Sequence, residues 1–314
     1  MIRKVLVTGG TGFIGSHVVE ALLRKKCDVV LLKRSSSDTW RLKSCIKRLK
    51  CYDTDRIELK DIFKKEKPKA ILHLATYYRK RHAPEDIEPM FSANIAFPVR
   101  LLELAREFDV KCFINTGTFF EYMNRPLPIN EDTSEGHPFN LYAMTKMAFE
   151  DILRNYSSGI KAVTLKVFTP YGPRDSDNKL IPSIIKKALG NEEIGLSQGL
   201  QKLDFVYVKD IAQAYIKCLE NIESIKSGHE AINIGSGLPL SIREVVSIME
   251  EILMRPIKKK WGRPAEGDFD ITFADTSKAK ELLGWRPAHD IFGGLRETID
   301  YYRGVRLPAS KGRA

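Results

Sequence analysis

The apolar run Lys4–Thr8 leads directly into Thr8-Gly9-Gly10-Thr11-Gly12-Phe13-Ile14-Gly15, and a helical pattern follows over Phe13–Arg24. Glycines spaced three apart between a strand and a helix constrain a chain more than any other feature here. They permit a tight turn, let a backbone approach a pyrophosphate, and let the helix pack closely on its strand. The helix N-terminus then offers free N–H groups and a partial positive charge to phosphate oxygens. An open parallel sheet that starts with a dinucleotide-binding turn is the expected architecture.

The rest of the first half agrees with that start. Apolar runs at Val29–Lys33, Ala70–Leu74, Cys112–Asn115 and Ala162–Val167 alternate with helical patterns at Pro89–Phe108 and Tyr142–Asn155. Continuous apolar runs without alternation suit strands covered on both faces. After Phe168 the texture changes. Thr169-Pro170-Tyr171-Gly172-Pro173 reads as a turn-rich break and Gly190–Gln201 as a loop, with later helices at Ser241–Met254 and Lys278–Leu283.

Tyr142 and Lys146 stand four apart in a helical pattern, so phenol and ammonium share one face. A neighbouring cation stabilises a phenolate and lowers its pKa. The glycine turn together with Tyr-x-x-x-Lys about 130 residues later resembles the extended short-chain dehydrogenase/reductase superfamily, in its NAD-dependent epimerase/dehydratase branch. The likeness extends to His73-Leu74-Ala75, to Asn94, to the segment Phe205–Ala212, and to Leu282-Leu283-Gly284-Trp285-Arg286-Pro287. It implies an α/β fold: a Rossmann-like doubly wound parallel sheet with a smaller α/β C-terminal substrate domain. Residues 1–170 plus roughly 205–235 would bind the cofactor, and 171–204 plus 236–314 a nucleotide sugar.

Carried over residue by residue, the resemblance makes Thr118 the catalytic hydroxyl, with Thr116 as fallback, Tyr142 the proton donor or acceptor, and Lys146 the residue that tunes Tyr142 and holds the nicotinamide ribose. It assigns the cofactor to Gly9, Gly12, Phe13, Ile14, Gly15, Leu74, Ala75, Phe168 and Pro170, and its adenine to Asp61-Ile62. An NAD-preferring relative carries an acidic residue at the end of the second strand, where this chain has Lys33-Arg34 followed by serines. Those cations suit the 2′-phosphate of NADP, with NAD as the alternative. The substrate's diphosphate is expected at Arg174 and Arg263, and its base near Leu180 and Leu196. Leu203 stands where many relatives place a nucleotide-binding arginine.

Dehydratases of this branch carry an Asp-Glu pair after the catalytic threonine; here Phe119-Phe120 follows Thr118. That leaves a reductase of 4-keto (6-deoxy) nucleotide sugars, favoured by Lys33 and Arg34, or a 4-epimerase of the UDP-glucose type. A dinucleotide-binding sensor is disfavoured, because both Tyr142 and Lys146 are present. The helices bearing Asn94 and Tyr142 are expected to form a homodimer interface.

Composition narrows the remaining classes. The net charge is +11, and positions 1–50 hold 12 basic and 3 acidic residues. A basic segment favours anionic partners; no nucleic-acid signature accompanies it, so a phosphate-rich cofactor and substrate are expected instead of nucleic acid. Five cysteines without a C-x-x-C pair indicate neither a disulfide framework nor a zinc site. With no apolar run of membrane-spanning length and no signal-peptide pattern, a cytoplasmic enzyme without a membrane partner is expected.

Overall fold

The computed structural model describes residues 2–122, 126–133, 138–156, 159–225, 228–264 and 270–304. Its main sheet has seven parallel strands: β1 (Lys4–Thr8), β2 (Asp28–Lys33), β3 (Lys50–Asp53), β4 (Ala70–His73), β5 (Cys112–Thr118), β6 (Lys161–Val167) and, after three strands of a second lobe, β10 (His229–Ile234). Their spatial order is β10-β6-β5-β4-β1-β2-β3. The order reverses between β1 and β4, and ligands of doubly wound sheets bind in the crevice outside the strand ends at that point. Val5–Thr8 and Ala70–His73 are buried throughout, because helices cover both faces.

One face is covered by α1 (Phe13–Arg24); the opposite face by α2 (Leu59–Glu66), by α3 (Ile87–Phe91), which continues through a π turn into α4 (Phe97–Glu107), and by α5 (Leu141–Tyr156). The smaller lobe begins with β7 (Thr169–Tyr171), α6 (Leu180–Leu189), β8 (Ile194–Leu196) and β9 (Lys202–Tyr207). The chain then returns to the first face as α7 (Val208–Asn221), which packs along α1. After β10 come β11 (Pro239–Ser241), α8 (Ile242–Leu253), β12 (Lys259–Trp261), β13 (Ile271–Thr272), α9 (Ser277–Leu283) and α10 (Ile291–Gly304). The smaller lobe's own core joins α6, α8 and α10 through Ile184, Ile185, Val245, Val246, Leu295 and Ile299.

Three details differ from the expected layout. β3 is a strand that its mixed sequence, Lys50-Cys51-Tyr52-Asp53, does not announce. Thr169–Tyr171 is not a bare turn but a strand paired with β9. α9 and Trp285, expected in the smaller lobe, pack on α7 and the main sheet, with the Trp285 indole donating to the Asp210 carbonyl at 2.9 Å. Among the described residues, no helix is long and apolar enough to cross a membrane.

Candidate active site

A cleft of about 1300 Å³ opens over the β1–β4 switch point and runs between the lobes. Its floor is the glycine turn. Gly9 has φ +68°, and a Cβ there would lie 2.4 Å from the Ala75 nitrogen and the Leu74 carbonyl carbon, so only glycine allows this crossing of β1 and β4. Gly12 caps α1 with no side-chain hydrogen bond, which leaves the first N–H groups of the helix available to an anion. Phe13, Ile14 and Gly15 line the same wall, as do Leu74, Ala75, Phe168 and Pro170. A turn that excludes every side chain, beside an uncapped helix start, fits the pyrophosphate of a dinucleotide.

At the adenosine end, Lys33, Arg34 and Ser37 line the cleft. The adenine pair falls elsewhere than expected. Asp61 sits in the first turn of α2, and Ile62 is buried in the core behind it; neither borders the cleft. Their place beyond the third strand is taken by Thr54, Asp55, Ile57 and Glu58. The difference has a structural cause: the mixed sequence of β3 hides a strand end, and Asp61-Ile62 lies one helix beyond it. Asp53, at the end of β3, accepts from the Ser35 hydroxyl at 2.6 Å and so ties the two cofactor-side loops together.

The residues expected to be catalytic lie at the other end. Tyr142 borders the cleft; Lys146 lies one turn further along α5, almost wholly buried. Burial pushes the Tyr142 hydroxyl above its ordinary range, the buried Glu121 carboxylate adds to the rise, and a hydrogen bond with Thr76 opposes it. Burial pushes Lys146 down to about 8, against the pull of Glu121 and Glu150. Thr118 ends β5 on the same wall. The Thr116 hydroxyl is engaged elsewhere, donating to the His73 carbonyl at 2.8 Å and lying 2.6 Å from the Tyr215 hydroxyl. Both threonines line the cleft; the Thr118 hydroxyl accepts only a long bond from the Phe120 amide, at 3.4 Å, which leaves its own proton free to donate.

Asn94 is wholly structural here. Its side chain accepts from the Tyr77 amide and the Thr76 hydroxyl, and donates to the Tyr77 carbonyl and Thr145, fastening the β4 loop to α5. His73 is also a fold residue: its Nδ1 lies 2.8 Å from the Thr8 hydroxyl, and burial with the nearby Lys146 charge holds it neutral.

The expected phosphate ligands are not at the cleft. The Arg174 guanidinium donates to both Glu20 carboxylate oxygens at 2.7 and 2.9 Å, to the Arg41 carbonyl and to His17 Nδ1. His17 Nε2 donates to the Pro173 carbonyl, and burial beside Arg174 lowers its pKa to about 4, so it is a neutral acceptor. Arg174 therefore clamps the Gly172-Pro173 turn onto α1. Leu196, in β8, packs into the smaller lobe, and Arg263, two residues beyond β12, is exposed; neither lines the cleft. Leu180 does line it. The cleft's own cations include Lys80 and Lys179, the latter 4.3 Å over the Tyr78 ring. Tyr78, Phe119 and Phe120 form an aromatic wall beside Tyr142, with Tyr78 edge-on to it at 4.9 Å. Sequence reading missed that wall as a unit, since Tyr78 and Phe120 meet only through the loop after β4. Among the described residues there is no cluster of His, Cys, Asp and Glu placed to hold a metal ion, and the five cysteines are unpaired.

Fold and site together define an extended short-chain dehydrogenase/reductase: a switch-point cleft with a dinucleotide turn at one end and a Tyr-x-x-x-Lys helix at the other. Residues 5–235 match the NAD dependent epimerase/dehydratase family, and the chain belongs to it. CDP-abequose synthase of Salmonella muenchen is 28% identical over 95% of this chain and 97% of its own length. UDP-glucuronate 4-epimerase of Thermodesulfobacterium geofontis is 33% identical, covering 94% and 95%. The crystal structure of UDP-glucuronic acid 4-epimerase from Bacillus cereus, in complex with UDP-glucuronic acid and NAD, superposes with a TM-score of 0.87 at 28% identity, covering 96% and 99%.

Proposed function

We propose that this protein is an NADPH-dependent reductase that acts at C4 of a nucleotide-linked 4-keto-6-deoxy sugar. The observation that carries the reading is the end of β2, where Lys33 and Arg34 line the cleft in the place of a ribose-binding carboxylate. Two cations there favour a 2′-phosphate. The aromatic wall of Tyr78, Phe119 and Phe120 supports the second half of the reading, because its rings offer mainly apolar contact to one side of the sugar. CDP-abequose synthase among the relatives points the same way.

Bound in the cleft, the nicotinamide supplies hydride. Tyr142 gives its proton to the sugar O4, and the Thr118 hydroxyl donates a hydrogen bond to that oxygen as charge develops on it. Lys146, protonated at neutral pH, stabilises the phenolate left behind. Lys179 and Lys80 stand in the cleft as the cations for the diphosphate, in place of Arg174 and Arg263.

The second reading is 4-epimerisation of a UDP-sugar with tightly held NAD, favoured by the 33% identical UDP-glucuronate 4-epimerase. The same Tyr142, Thr118 and Lys146 would serve it, oxidising and re-reducing C4. We take the working unit as a homodimer in either case, since exposed Ile87, Phe91 and Met144 lie on the α3 and α5 helices.

Fluorescence titration with NADPH and NADH decides between them, with Lys33→Asp/Arg34→Ala beside the wild type. Tight NADPH binding that the variant loses supports the reductase, and NADPH consumption with CDP- and UDP-linked 4-keto-6-deoxy sugars then follows. Equal or tighter NADH binding, or NAD that co-purifies, overturns it in favour of the epimerase.

A further inference from the structure

Directly behind the aromatic wall lies a buried cluster that the proposed chemistry does not use. Glu121 is fully buried, and its carboxylate accepts from the Thr118 amide at 2.8 Å and from Lys166 Nζ at 2.8 Å. Lys166, on β6, also meets the Glu150 carboxylate at 3.2 Å and sits 4.5 Å over the Tyr122 ring. Glu150 lies one turn beyond Lys146 on α5. Lys166 thus pairs with Glu121 and with Glu150 of α5, and both carboxylates act on the charge of Lys146 on the same helix; all four side chains are nearly inaccessible. The backbone is shaped around this arrangement. Gly117 has an ordinary φ, yet a Cβ there would lie 3.1 Å from a Glu121 carboxylate oxygen, 3.0 Å from the Lys166 side chain and 2.8 Å from Thr164. A side chain before Thr118 would press first on the Thr164 methyl and then on Lys166 and the Glu121 carboxylate.

We propose that Glu121 is a positioning residue for the reaction: its carboxylate fixes the Thr118 backbone and, with Glu150, balances the buried charges of Lys166 and Lys146, so that Lys146 stays cationic beneath Tyr142. The proposal rests on the roles given above to Thr118, Tyr142 and Lys146. Charge in a low-dielectric interior is sustained only when paired and hydrogen-bonded, and Glu121 is the member that touches both the cation and the catalytic strand end. The other groups around Lys146 do not supply the missing anion. His73, on β4, is neutral. Burial raises the hydroxyls of Tyr78, Tyr122, Tyr142 and Tyr215, so all four stay protonated. On the far side, Arg154 approaches Glu150 at 3.5 Å and adds a cation, and His229, next to β6 and held to about 4, adds none.

The test is the pH dependence of NADPH and NADH binding, which needs no sugar and stands even if the sugar assignment fails. Glu121→Gln keeps an acceptor for the Thr118 amide and removes the charge. Its coenzyme affinity is expected to fall away at a pH about one unit lower than in the wild type. Glu121→Asp, which keeps the charge, is expected to leave that limb near the wild-type position. A Glu121→Gln limb that coincides with wild type overturns the proposal. If Glu121→Gln does not fold, the double variant Glu121→Gln/Lys166→Met removes one charge of each sign. It is expected to fold and to restore the wild-type limb; a double variant that is unfolded or still displaced overturns the charge balance.

Discussion

Removing Lys166 probes the buried cluster most directly. In Lys166→Met the side-chain volume is nearly kept, but Glu121 and Glu150 lose the cation that two carboxylates now hold well above its ordinary pKa. Breaking a buried ion pair from one side costs about 3–5 kcal/mol. The carboxyl has an escape, which is to take up a proton. Glu121 is already pushed upward by burial, with Lys166 and the Thr118 amide pulling it back. With the cation gone its folded pKa rises further above the unfolded value of about 4.3, so the protonated form is the one that folds. A raised folded pKa contributes stability that is fully present below the unfolded pKa and lost as pH rises. The loss is about 1.4 kcal/mol per pH unit, so the variant's deficit should reach roughly 3–4 kcal/mol at about pH 7 and shrink to roughly 1 kcal/mol at about pH 5. Denaturant unfolding of both proteins at the two pH values measures it. A deficit that is the same at both, or below about 1 kcal/mol at neutral pH, refutes the claim that Lys166 neutralises buried carboxylates.

Three further outcomes are expected. Tyr142→Phe should lower kcat by about 10²–10⁴-fold while leaving NADPH binding within a few-fold, because it removes the proton donor and at most one of the many groups expected to hold the cofactor. In the wild type, kcat/KM should fall as pH rises through about 8, where the ligand-free enzyme loses the Lys146 proton. Arg174→Met should destabilise the fold by about 2–4 kcal/mol in urea titration, since it strips Glu20 and the Arg41 carbonyl of their donor, yet change KM for the sugar by less than about threefold; a large KM effect at unchanged stability would put Arg174 back at the diphosphate.

What the sequence determined by itself is local and periodic. Glycine spacing after an apolar run set the β1 turn, and helix α1 begins and ends where its pattern does, because only glycine tolerates the φ of Gly9 and the approach of Leu74. The four-residue spacing of Tyr142 and Lys146 placed both on one helical face, and Lys33-Arg34 marked the end of β2. Tertiary structure alone decided which charges are free. Arg174 reads in sequence like a phosphate ligand, but α1, 154 residues earlier, brings Glu20 to it. Asp61 reads like an adenine contact, but β3, a strand with no apolar pattern because it lies at the sheet edge, puts Thr54 and Asp55 on the cleft wall and leaves Asp61 off it. Nothing in the sequence singles out Glu121, yet it is the most enclosed carboxylate beside the site, because β6 and α5 deliver Lys166 and Glu150 from 45 and 29 positions away. Short-range pattern fixes where the backbone turns; long-range packing sets each side chain's charge partner, and in a buried site that partner decides what the group can do.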